Sequence, residues 1–232
     1  MKSAWIPLTF DDEEHKNIWD KFYYEFNFRA SMYTKDWPGI KEPNPSVTYS
    51  ISNIYGGENG EGHYDKLNKN LQDCFLVYFQ ALTKDDDWIF VLNWQHTTHK
   101  FYPHIHFDLV SLYNELPVPL LNEWPTPILP NGDYFIFLEP NLEFGVFGHP
   151  WEQTMCIFGQ KLIDLVEKNP PLLFTKKLRV NGKSYFDVDS IVNTAIEQFT
   201  NLTKKAAQIF GLKWNNSYFC LDLLFSVSSS KL

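Results

Sequence analysis

His96, His99, His104 and His106 fall within eleven residues of each other, and His149 follows on a later segment. Imidazole is the commonest neutral metal ligand, and zinc needs three or four donors at about 2 Å. A set drawn from His96, His104 and His149, with Glu152 or Asp133 acting on a bound water, would make a metal-assisted hydrolase. The spacing gives this little support. HxxH and HxH lie here on no recognisable helix, and neither HExxH nor a cysteine partner accompanies them. A hydrogen-bonded or solvated loop is the favoured reading, and no metal and no cofactor is expected.

Other chemistries fare similarly. GxSxG is absent. Cys156 sits between Met155 and Ile157, an apolar setting that suppresses the thiolate, so a packed cysteine is expected. GGENGEG at 56–62 carries two glutamates and no following Gly-Lys-Ser/Thr, which suits a loop and not a phosphate cradle. Asp133, Glu139, Glu143 and Glu152 flank three strand-like segments. Paired carboxylates could serve glycoside hydrolysis, whereas Asp133 in Asn131-Gly132-Asp133 also suits a turn. Both readings stand at this level.

Gly148-His149-Pro150-Trp151 is different in kind. Proline fixes its own φ and holds the preceding residue extended, and Gly148 is expected to supply a conformation closed to other residues. The corner would present His149, Trp151 and Glu152 together, a combination suited to recognition. Trp94, Tyr134 and Trp151 could alternatively line a small-ligand pocket. The binding candidates are thus Trp94, Gln95, His96 and Asp133, with Tyr134, His149, Trp151 and Glu152.

These residues need elements to position them. Asp11-Asp12-Glu13-Glu14 opens a helix whose stripe is Ile18, Trp19, Phe22, Tyr23 and Phe26. Val47, Tyr49 and Ile51 alternate as in a half-buried strand. A second helix carries Tyr64, Leu67, Leu71, Cys74, Phe75, Tyr78, Phe79 and Leu82 on one face. WIFVLNW at 88–94 reads as a strand inside its sheet. Residues 95–131 read as a long proline-rich loop. DYFIFL, FGVF and EQTMCIF are three strands, the first two joined by Glu139-Pro140-Asn141 as a hairpin. A short helix ends at Pro170-Pro171. Asn181-Gly182 marks a further hairpin, then comes a long helix from Asp187 or Asp189 to Gly211, and YFCLDLLFSV as a last strand. The sum is an α+β fold, mainly an antiparallel sheet with packed helices. Residues 1–168 form its core domain, and 169–232 a C-terminal extension packed on the same domain.

Composition narrows the partners. The chain has 232 residues, 44% hydrophobic, with 20 Phe, 12 Tyr and 8 Trp. Aromatics in this number fill a core and also reach the surface as contact points. A net charge of −8 disfavours nucleic acid and leaves a basic protein as the better partner. No apolar run approaches a membrane span. Three separated cysteines, Cys74, Cys156 and Cys220, read as free thiols of a reducing cytoplasm.

NWQH at 93–96, WPTPILPNGDYFIFL at 124–138 and FGVFGHPWEQTMCIFG at 144–159 together resemble a bacterial family, domain of unknown function 2716. The opening helix and the WPGI-x-EPNPSVTY segment at 37–49 fit the same pattern, over roughly residues 5–168. The family carries no established activity, so the resemblance implies kinship without chemistry. The order of elements is also similar to SUKH-type immunity proteins, which bind and neutralise toxins. That similarity implies a cytoplasmic binding module of immunity or antitoxin type, with a toxin-like or basic partner, and it transfers no individual residue.

Overall fold

The computed structural model describes residues 3–54, 63–105, 124–186 and 188–209. GGENGEG, His106, Asp187, Cys220 and the strand expected at YFCLDLLFSV lie outside the described residues, wholly or in most part.

Nine strands of the described chain form one antiparallel sheet. They are β1 (Trp5–Leu8), β2 (Ser46–Ser50), β3 (Ile89–Asn93), β4 (Thr98–Phe101), β5 (Phe135–Leu138), β6 (Gly145–His149), β7 (Thr154–Phe158), β8 (Lys177–Val180) and β9 (Lys183–Ser184). Their spatial order is β1-β4-β3-β5-β6-β7-β2-β8-β9. The helices of this unit are α1 (Glu13–Phe26), α2 (His63–Leu82) and α3 (Gln160–Lys168). The chain is α+β, as its pattern of elements indicates.

Strand alternation sorts the core into two layers. Val91, Phe137, Val146, Met155 and Ile157 point to one face and pack with Leu71, Phe75 and Phe79 of α2 and Leu162 and Val166 of α3. Leu92, Ile136, Phe147, Cys156 and Phe158 point to the other and pack with Ile18, Trp19, Phe22 and Phe26 of α1. Trp19 also donates its Nε1–H to the Thr98 hydroxyl at 3.1 Å, which pins α1 over β4. Tyr23 leaves the expected stripe and is exposed.

Three expectations change. Residues 98–101 are strand and not loop, because β1 and β3 supply ladder partners on both sides. β2 is buried along its whole length and not on one face only. On its second face the Thr48 hydroxyl bonds Glu42 of the irregular segment 27–45, where cis Trp37-Pro38 and Asn44-Pro45 lie. Gly148 has no left-handed φ. It is small because a Cβ would come within 3.0 Å of Pro130. The left-handed residue of the corner is Gln153, at φ 56°.

Residues 1–185 form one compact unit and 186–232 a second. The hairpin β8–β9 turns through Asn181 and Gly182, both at positive φ as a type I′ turn requires. It adds to the sheet beside β2. In the second unit, α4 (Val188–Ile209) is helical as expected. It contains Asp189, which therefore does not stand ahead of the helix as a cap. Among the described residues no helix is long and apolar enough to cross a membrane.

Candidate functional site

β6 ends at His149, and the turn 150–153 leads into β7. His149 is fully buried. Its Nδ1 accepts the backbone N–H of Glu152 at 3.0 Å, so the ring proton belongs on Nε2. Nε2 faces the Tyr134 hydroxyl at 3.5 Å. That hydroxyl donates to the Ser31 carbonyl and accepts the Ser31 N–H, each at 3.0 Å. Burial lowers the His149 pKa to about 4 and raises that of Tyr134. At neutral pH both groups are uncharged and engaged with the protein's own backbone.

Three tryptophans sit edge-on around this pair. Trp37 meets His149 at 5.5 Å between ring centroids, while Trp151 and Trp94 meet Tyr134 at 5.1 and 5.8 Å. All three are half-buried, Trp37 with its Nε1 buried. Next to Ser31, Met32 and Tyr33 are exposed. Gly39 approaches so closely that its Cβ would stand 3.6 Å from the His149 Nε2.

The remaining candidates occupy the edge of this cluster. Asp133 accepts the Tyr134 N–H at 2.8 Å, the turn role open to it from sequence. Its other oxygen faces the exposed His96 ring at 3.4 Å. Burial raises the Asp133 pKa, against the opposing pull of that N–H and of His96. Gln95 is exposed and left-handed at φ 63°. His104 lies elsewhere, against the Thr83 hydroxyl and carbonyl at 3.1 and 3.0 Å. His99 has its pKa lowered to about 4 by burial and packs edge-on against Trp5. His96, His104 and His149 thus have separate partners. Among the described residues no three His, Cys, Asp or Glu side chains are grouped to hold a metal ion.

Glu152 faces a second cluster. Its carboxylate takes Arg179 of β8 in a two-pronged pair, Nη1 to Oε1 at 2.6 Å and Nη2 to Oε2 at 2.9 Å. The Arg179 Nε–H donates to Glu42 at 2.8 Å. Thr48 and Thr154 donate their hydroxyls to Glu42 and Glu152 at 2.7 and 2.8 Å. Burial acts to lower the Arg179 pKa, but the two carboxylates outweigh it and hold it above its ordinary value. Cys156, paired in register with Thr48, is a core thiol whose pKa burial pushes up to about 12. Sequence reasoning missed Trp37, Glu42 and Arg179. The first two stand in the WPGI-x-EPNPSVTY segment, which carried family resemblance without a stated role.

Residues 9–163 match the family model described as Protein of unknown function (DUF2716). The chain belongs to the DUF2716 family. The matched stretch holds both clusters except Arg179, and it includes all the candidate residues named from sequence. A relative within reach is "Uncharacterized protein YxiI" of Bacillus subtilis (strain 168), 30% identical over 138 residues, covering 60% of this chain and 80% of that protein. No solved structure matches the chain.

Proposed function

We propose that this DUF2716 protein works by binding another protein, through the rim formed by Trp37, Trp94 and Trp151. The observation behind this is the rim itself: three half-buried indoles held edge-on by a rigid, internally satisfied Tyr134–His149 pair. Fixed aromatic groups on a preorganised base are what binding hot spots use. A base that is buried, neutral and bonded on both ring nitrogens does not offer a proton acceptor to a substrate. Met32 and Tyr33 would widen the contact. The net charge of −8 favours a basic partner. An antitoxin-type module of the cytoplasm is the specific form of this reading.

The test uses the full chain, immobilised and exposed to an extract of its host. A partner retained in stoichiometric amount should be lost at least about tenfold with Trp151→Ala or Trp94→Ala. Both variants should remain folded and melt in one cooperative transition, at a temperature lowered by the lost packing on Tyr134. Variants that retain the same proteins as the parent would overturn the reading. The hydrolase alternative would then need His149 to leave its bonds with Glu152 and Tyr134.

A further inference from the structure

Arg179 and its two carboxylates come from different parts of the chain. Glu42, Thr48, Glu152 and Thr154 all lie inside the stretch matched by the family, whereas Arg179 lies beyond its end at residue 163. The cradle is built as a guanidinium receptor. Two carboxylates meet three N–H directions, and two threonine hydroxyls hold them in place. It also has spare capacity: Oε2 of Glu42 is buried without a hydrogen-bond partner, in a side chain only 1% exposed.

The strand delivering Arg179 stands near the edge of the sheet, with only β9 beyond it. All four residues of β8 are half-buried and β9 is exposed. β8 pairs with β2 through a register shift at Thr48/Tyr49. Around the ladder it is held by the paired bonds of Ser46 and Asn181, by the Ser50 N–H on the Lys176 carbonyl, by Val180 against the core, by a Lys177–Glu167 contact and by Arg179 itself. Without β8, the edge of β2 would present an unpaired ladder beside an acidic pocket, the geometry that accepts an added strand.

We propose that the β2 edge and the Glu42–Glu152 cradle form a docking site for an extended, arginine-bearing strand of a partner protein, filled in cis by this chain's own β8. The main chain of the incoming strand pairs with Ser46–Ser50, and its arginine replaces Arg179 between the carboxylates. Charge complementarity selects the occupant, because without Arg179 the cradle holds two acids and no cation. A lysine would satisfy the charge but not the fork. This site shares Glu152 with the corner but includes none of the three tryptophans, so Trp94→Ala tests that reading without touching this one.

The experiment uses the full chain carrying Arg179→Ala and a synthetic peptide reproducing residues 174–182. We expect saturable binding at least about tenfold tighter than that of the same peptide with lysine in place of its arginine. Adding Glu152→Gln to the variant should abolish that preference. A folded Arg179→Ala chain that binds neither peptide, or both equally, overturns the proposal. Should that variant not fold, native-state hydrogen exchange of the unaltered chain decides. The Asn181 amide, bonded to the Ser46 carbonyl, should exchange at least about tenfold faster than the Ile51 amide, bonded to the Gln153 carbonyl. Equal rates mean that β8 leaves only on global unfolding, and the proposal falls.

Discussion

The His149 corner and the Arg179 cradle bury polar groups on the same face of the same sheet, yet they do so in opposite ways. At the corner the groups are neutral, and Tyr134 and His149 are matched to backbone atoms of Ser31 and Glu152. In the cradle the groups are charged and matched to one another, with one carboxylate oxygen left over. Glu152 belongs to both, its main chain to His149 and its carboxylate to Arg179. A neutral, backbone-satisfied cluster is rigid and closed. A charged one made by side chains from distant segments depends on every partner staying in place.

Glu152→Ala separates the two most sharply. It leaves Arg179 with Glu42 alone in a largely buried setting, and breaking a buried pair costs about 3–5 kcal/mol. The backbone N–H to His149 survives the substitution. Urea unfolding should therefore show the loss while the His149 resonances stay in place. Displacement of those resonances would mean that the two clusters are not separable.

The next largest effect is pH dependence. The folded pKa of His149 is lowered, so between about 4 and 6.5 the unfolded chain binds the extra proton. Its contribution is fully present above pH 6.5 and is lost as pH falls towards 4, about 3 kcal/mol over that window. Unfolding curves in steps of pH should show that slope, with a further share from His99. His149→Phe should remove the His149 share, and an unchanged slope would assign the effect elsewhere.

Much of this comparison was beyond the sequence, for physical reasons. β5, β6 and β7 were legible because turn residues and alternation are local signals. β4 was not, since Thr98–Phe101 has apolar character only at Phe101 and owes its strand form to neighbours. β1 contains Pro7, tolerated because it stands at the edge of the sheet. His149, Trp151 and Glu152 stand in one corner but are not presented together, since His149 is buried and Glu152 turns to Arg179, and Gly148 is small because Pro130 packs against it. Arg179 was invisible as a partner of Glu42, 137 positions away in the chain, because nothing local announces such a pair.

Smaller changes sharpen the contrast. Tyr134→Phe removes a hydroxyl that satisfies both backbone atoms of Ser31 and should cost about 1–3 kcal/mol by thermal or urea unfolding. His96→Ala, at a 64% exposed side chain, should change stability by less than about 0.5 kcal/mol. A large loss there would mean that His96 and Asp133 belong to the buried cluster and not to its rim.

The sealed corner requires His149 to be a structural base and not a chemical one, and nitrogen-resolved NMR of its ring through a pH titration tests this directly. The ring should remain neutral, protonated on Nε2 and bonded at Nδ1, down to about pH 4. Titration near the ordinary value of 6.5, or a proton on Nδ1, would contradict the sealed corner and return His149 to the catalytic candidates.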